Sequence, residues 1–171
     1  MSRSKDLVLA LVAGSLMVAG TAAAQRRADS KITGEAYRLH SSQSYTRSAR
    51  DSARVLYGYG RGMQEIPREL AEEHVAAIRQ NVQSAGKQVA KVKAAHPQDK
   101  DVQRLAKQVE DHYAKVAMLC DMLDKTTGEA HADHVKLCEC CAGIHKELTA
   151  ADKAHDELMH KLQVPKLDEV K

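Results

Sequence analysis

The residues of this chain best suited to chemistry are histidines and cysteines, and five of them lie close together near its C-terminal end. They recur at intervals of three and four residues: His131, His134, Cys138, Cys141 and His145. Such intervals place side chains on one face of an α-helix. Imidazole nitrogen and thiolate sulfur are both ligands of copper and zinc. The spacing therefore predicts a metal-binding face on a helix.

Three further candidate ligands come from earlier helical segments: His74, His112 and Cys120. A helix rises about 1.5 Å per residue, so the level of each side chain in an antiparallel bundle can be counted from the helix ends. This count places His74 and Cys120 level with the first part of the 131–145 segment, and His112 level with its second part. We therefore expect all eight side chains to form a layered site inside a helical bundle.

The mixture of donors favours copper over zinc. Soft thiolate and thioether donors select copper(I), and Met118, Met122 and Met159 could add sulfur. Zinc in a tetrahedral site of two cysteines and two histidines is the runner-up. The predicted function is sequestration, buffering or delivery of the metal ion.

The same cysteines also allow an interpretation without metal. Cys120 could form a disulfide with a cysteine of the last helix, and four cysteines allow three complete pairings. Cys138 and Cys141 lie three apart on one helix, a poor geometry for direct bridging. The competing prediction is a non-enzymatic helical interaction or structural protein of the cell envelope. No Ser-His-Asp spacing or phosphate-binding loop favours an enzyme, and no protein partner can be named.

The composition of the 171-residue chain narrows the fold class. It contains no Phe or Trp, five Tyr and nine His, and its net charge is +3. Strands favour aromatic and β-branched residues, and nucleic-acid-binding surfaces need aromatic platforms or strong positive charge. We therefore expect an all-α protein that does not bind nucleic acid.

Helical segments are separated by Pro67, Pro97 and Pro165, none of which lies inside a periodic run. Four helices joined by short turns predict an up-down-up-down antiparallel four-helix bundle over residues 42–163, followed by a tail at 164–171. We expect the glycines at 58, 60 and 62 to end the first helix. Thr126 and Glu129 resemble a capping box that would open the fourth.

The core stripes of the later helices can be counted by intervals of three and four. In the second helix the stripe is Val75, Ile78, Val82, Ala85, Val89 and Val92. In the third it is Val102, Leu105, Val109, His112, Val116, Leu119 and Leu123. In the fourth it continues from the five ligand candidates through Leu148, Asp152, His155, Met159 and Leu162. The fourth helix thus departs from the usual apolar stripe.

Residues 1–24 have the pattern of a signal peptide. Arg3 and Lys5 precede a stretch without charge, and small residues stand before Gln25. Cleavage after Ala24 would release a periplasmic or secreted protein without a stable membrane anchor. Residues 25–41 are polar and are predicted to form a flexible lead-in.

An exported four-helix bundle lined by cysteine and histidine resembles the copper storage proteins, whose inward-pointing cysteines hold copper(I). The resemblance lies in the architecture and in the segment from Cys138-Glu139-Cys140-Cys141 to His145. It implies a bundle that holds copper(I) on core side chains. This chain has four cysteines where those proteins have many, so we expect one to a few ions instead of high-capacity storage.

Overall fold

The computed structural model describes residues 34–62, 66–128 and 134–165, and within these ranges it consists of four helices and no strand. Helix α1 covers residues 34–62, and the later helices are α2 (Arg68–Ala95), α3 (Lys100–Gly128) and α4 (His134–Lys161). Apart from the first two residues of α1, the four helices belong to one compact unit, Ala36–Lys171. The predicted signal peptide lies outside the described residues.

Helix α1 includes residues 34–41, where the polarity of the sequence predicts a lead-in. Its buried positions follow intervals of three and four: Leu39, Ser42, Thr46, Ala49, Ala53, Leu56 and Gly60. Two of these positions, Ser42 and Thr46, are polar. A search for hydrophobic periodicity therefore does not detect this part of the helix. Gly58 and Gly60 lie within the helix, so the expectation that the first glycines end it is wrong.

The core stripe predicted for α2 is confirmed at every position. In α3 five of the six predicted aliphatic positions are also buried: Val102, Leu105, Val109, Val116 and Leu123. His112 and Leu119 are half-buried, and their neighbours Tyr113 and Cys120 take the core positions instead. The predicted stripe therefore has the right spacing along α3, but at two of its seven positions the buried residue is the next one in the sequence.

The turn between α2 and α3 is closed by two side chains at the start of α3. Asp99 caps α3, because its Oδ1 accepts hydrogen bonds from the backbone N–H groups of Asp101 (3.0 Å) and Val102 (3.2 Å). The bond from Val102 is the main cause that lowers the pKa of Asp99. Gln103 donates back to the carbonyl oxygens of Lys93 and His96 at the end of α2.

Thr126 does not open the fourth helix. It lies inside α3, where its hydroxyl donates to the carbonyl oxygen of Met122 at 3.0 Å. Thr127 does the same to Leu123. The described part of α4 begins at His134, and the capping-box prediction for Thr126 is wrong because threonine can satisfy its hydroxyl within a helix.

The end of α4 is fixed by a residue with a left-handed backbone. Gln163 has φ 54°, and its N–H donates to the carbonyl of His160 at 3.1 Å. The N–H of Val164 reaches back to the carbonyl of Met159 at 2.9 Å. This pair of bonds is a Schellman motif, and it buries Val164 against the end of the bundle.

None of the helices in the described ranges combines the length and the hydrophobicity needed to cross a membrane.

Candidate metal-binding groove

The buried face of α4 is rotated away from the stripe of histidines and cysteines that the sequence predicts. Its fully buried positions step by three and four: Leu137, Cys141, Ile144, Leu148, Ala151, His155 and Leu158. The two stripes have the same spacing and share three positions, and adjacent residues are separated by about 100° around a helix. His134 and Cys138 are consequently half-buried, and His145 is exposed. These side chains stand at the edge of the core, on the side of α1.

The first of two neighbouring clefts between α1 and α4, the His134 cleft, has a volume of about 380 Å³. Its lining residues are Tyr57, Gly60, Arg61, His134, Val135, Cys138, Glu139 and Ala142. Gly60 allows α1 to approach the thiol closely, since a Cβ at this position would lie 2.8 Å from Cys138 Sγ and 2.8 Å from Leu137 Cδ2. The absence of a side chain at Gly60 thus makes room for the Cys138 thiol.

The second, the His145 cleft, has a volume of about 330 Å³. Its lining residues are Ala53, Arg54, Tyr57, Cys141, Ala142 and His145. It shares Tyr57 and Ala142 with the His134 cleft, so the two form one groove along α1 and α4. Each cleft therefore contains one histidine and one cysteine of α4.

The histidine and cysteine within each cleft lie four residues apart, which is one helical turn. Side chains at this spacing have Cβ atoms about 5–6 Å apart, so both can reach a single ion. Within residues 34–62, 66–128 and 134–165, no group of three or more His, Cys, Asp or Glu side chains is placed to hold one ion. The potential metal ligands of the groove therefore come in pairs, one histidine and one cysteine in each cleft.

All four cysteines are free thiols in the structure. Burial raises the pKa of Cys141 to about 12 and that of Cys120 to about 11, and it also raises the pKa of Cys140. These three thiols therefore keep their protons at neutral pH, and a metal ion would have to displace them. Cys138 is half-buried, whereas the other three cysteines are buried.

Cys120 and Cys140 lie outside the groove. Cys120 is buried and lines a different cavity of about 590 Å³, formed by α2 and α3 and flanked by Arg79. Cys140 is buried as well, although the helical pattern gave it no place in the stripe. Both thiols are thus part of the hydrophobic core.

The remaining predicted ligands are not brought into the groove. The ring of His74 packs near Tyr59, with 6.0 Å between the ring centroids. His112 Nδ1 lies 2.7 Å from Glu147 Oε2, and this contact is the main cause that lowers the pKa of Glu147. His131 lies outside the described residues. Of the eight candidates, the groove collects four: His134, Cys138, Cys141 and His145.

A buried polar cluster that the sequence did not reveal lies in the other half of the bundle. His155 is fully buried, and its Nδ1 donates to the carbonyl oxygen of Ala151 at 2.9 Å. The Ser42 hydroxyl lies 2.7 Å from His155 Nε2 and 3.0 Å from the carbonyl oxygen of Ala85. Burial is the main cause that lowers the pKa of His155. The neutral ring therefore joins α4 to α1 and α2.

Two further hydroxyls extend this cluster towards α3. Thr46 donates to the carbonyl oxygen of Ser42, so the Tyr113 hydroxyl donates to Thr46 Oγ1. Burial raises the pKa of Tyr113 to about 12, which keeps this donor protonated. The regular spacing of Leu39, Ser42 and Thr46 is the signal that could have identified this face of α1.

Comparison of the chain with protein-family models, with curated proteins and with solved structures gives no match.

Proposed function

We propose that this protein is an extracytoplasmic metal-binding bundle that holds soft metal ions in the groove between α1 and α4, in order to sequester, buffer or deliver them. One observation carries the proposal. Each of the two clefts is lined by an imidazole and a thiol one helical turn apart, His134 with Cys138 and Cys141 with His145. His134 and Cys138 are half-buried and His145 is exposed, so an ion from solution has access to a ligand at the edge of each cleft.

Copper is the metal that these donors favour, and zinc is the runner-up. Thiolate sulfur selects copper(I), and imidazole suits both metals. Structural zinc takes four protein ligands in a tetrahedron, whereas each cleft supplies one histidine and one cysteine. The donor set of each cleft is therefore better matched to copper.

The proposal includes the cellular setting that the sequence predicts. A signal peptide at residues 1–24 would send the chain to the periplasm or outside the cell, and the bundle would have up-down-up-down antiparallel connectivity. Its resemblance to copper storage proteins rests on the exported bundle and on the Cys138 to His145 segment. Four cysteines are consistent with a few ions per chain.

The test is the metal content of the full chain, purified with its thiols reduced and then exposed to copper(I) or to zinc. We expect stoichiometric copper by elemental mass spectrometry, and loss of it in the double variant Cys138→Ser, Cys141→Ser. Cys140→Ser is the matched control, because Cys140 is a buried thiol on the same helix outside both clefts. Circular dichroism establishes that each variant is folded.

A chain that stays free of metal after both challenges, with its thiols oxidised to disulfides, would overturn the proposal in favour of a helical interaction protein. Equal loss of copper in Cys140→Ser would also count against it, since binding would then not depend on the groove.

A further inference from the structure

We propose that the groove holds two separate monovalent soft ions, each bound by one nitrogen and one sulfur, with one ion in the His134 cleft and one in the His145 cleft. This inference rests on the proposed function and adds its stoichiometry, its coordination and the charge of its ion. It follows from the order of the four donors along α4, from the reach of metal–ligand bonds and from the charges beside each cleft.

The donors follow the order His134, Cys138, Cys141, His145, so the two cysteines lie between the two histidines. At about 1.5 Å per residue, the two histidines are separated by roughly 16 Å along the helix axis. Bonds from metal to nitrogen or sulfur are about 2.0–2.3 Å long. One ion therefore cannot be bound by both histidines, and each histidine shares an ion with the cysteine one turn away.

The lining of the His145 cleft favours an ion of single positive charge. Besides Cys141 and His145, it consists of Ala53, Arg54, Tyr57 and Ala142. A single thiolate neutralises a monovalent ion, whereas a divalent ion would keep a net positive charge in a cleft that Arg54 also lines. Like charges repel, so the monovalent ion is favoured. Copper(I) is stable with two ligands, so the pair alone can hold it.

The His134 cleft differs because Glu139 and Arg61 both line it. Their opposite charges offset each other. As in the His145 cleft, the thiolate is then the group whose negative charge balances the positive charge of the ion. The Cys138 thiol is held at this cleft by its fit against Gly60. Each cleft thus meets the needs of one two-coordinate ion, independently of the other.

The experiment is a copper(I) titration of the full chain under anaerobic conditions, followed by native mass spectrometry. We expect two copper ions on the unmodified chain. Loading should fall to one ion in His134→Ala with Cys138→Ser, and also to one ion in Cys141→Ser with His145→Ala. X-ray absorption of the copper-loaded protein should give one sulfur and one nitrogen per copper. An equal concentration of zinc should displace neither ion.

Single substitutions of the histidines guard against loss of the fold, because His134 is half-buried and His145 is exposed. His134→Ala and His145→Ala should each weaken one of the two copper-binding steps by at least tenfold, measured against a chromophoric copper(I) chelator. The exposed His160, at the far end of α4, provides the matched control, and His160→Ala should retain both ions at unchanged affinity.

The outcomes separate this inference from the proposed function. If either double variant loses all its copper, one ion is shared by the two cysteines, which overturns the two-site inference and leaves the groove as a metal site. A spectrum with three or four protein ligands per copper, or displacement by zinc, also overturns it. Failure of the unmodified chain to bind copper(I) overturns the two-site inference, and failure to bind zinc as well overturns the proposed function.

Discussion

Gly60 is the residue of α1 on which the position of the Cys138 thiol depends most directly. In an exposed part of a helix, glycine is less favourable than alanine by about 1 kcal/mol. At Gly60 the added methyl group would overlap Cys138 Sγ and Leu137 Cδ2, and Leu137 is fully buried. The same substitution two residues earlier would meet no atom within 4 Å, because Gly58 faces open space.

Gly60→Ala and Gly58→Ala are therefore expected to have opposite effects. Gly58→Ala should raise the free energy of unfolding by about 1 kcal/mol, from helix propensity alone. Gly60→Ala should lower it by about 1 kcal/mol, since overpacking usually costs about 1–3 kcal/mol and outweighs the gain in propensity. Urea unfolding of the two variants measures both changes. If Gly60→Ala stabilises the protein as much as Gly58→Ala, the contact with Cys138 is not tight.

At the same scale, the sequence could predict which turns of α3 contribute to the core, but not which of two adjacent residues is buried there. His112 was predicted in the core, yet Tyr113 is buried there and His112 pairs with Glu147 at the edge. Both choices preserve intervals of three and four along α3. The intervals alone cannot decide between neighbours when one is a histidine and the other a tyrosine, because both have an apolar ring with a polar atom.

Among the elements, the core stripe of α2 from Val75 to Val92 could be predicted because its buried residues are only Ala, Val and Ile. Helix α4 could not, because an apolar stripe through Leu137, Ile144 and Leu158 runs beside the stripe of His and Cys. Burying the first stripe removes more apolar surface from water, and this decides the rotation of the helix. The same rotation leaves the histidines and Cys138 at the groove.

The end of α4 can be tested by changing its left-handed residue. Gln163 has φ 54°, a region that costs a residue with a Cβ about 1 kcal/mol or more and that glycine adopts freely. Gln163→Gly should therefore raise the free energy of unfolding by about 1 kcal/mol. Gln163→Ala, which keeps the Cβ, should give no such gain. Thermal unfolding of both variants gives the comparison, and equal stability would mean that the backbone of residue 163 is not strained.

In the whole bundle, the contacts between α1 and α4 change along the length of α1, from polar contacts near its start to the two clefts near its end. Ser42 and Gln43 bond to His155 and Asp156, and Arg47 forms an ion pair with Asp152 at 3.3 Å. Further along α1, the residues that face α4 line the two clefts. The position of this polar cluster was hidden in the sequence because buried polar groups satisfy one another only after the helices have met.

The buried ring of His155 makes the stability of the bundle sensitive to acid. Burial keeps the pKa of His155 below 6.5, with Arg47 acting in the same direction and Asp152 and Asp156 opposing it. As the pH falls below 6.5, the unfolded chain takes up a proton that the folded chain does not. This histidine should therefore lower the free energy of unfolding by up to about 1.4 kcal/mol per pH unit, until the pH reaches its folded pKa.

Urea unfolding between pH 7 and pH 5 measures this dependence, and His155→Gln removes it. The variant should be less stable than the unmodified protein at pH 7 and should show a smaller loss on acidification. His160→Ala, which removes an exposed histidine of the same helix, should retain the full pH dependence. An identical slope in His155→Gln would assign the acid sensitivity to other groups.

The division of α1 separates the part that holds the bundle together from the part that, under the proposed function, would exchange an ion. Near Ser42, moving α1 away from α4 would break the buried contact between the Ser42 hydroxyl and His155 Nε2 and leave that ring nitrogen without a partner, which is costly. Near Gly60, the same movement would open two clefts that already adjoin solvent, with little new polar surface to satisfy. Local opening therefore has its lowest free energy at the end that contains His134 and Cys138. An ion could enter and leave there while the far end of the bundle stays folded.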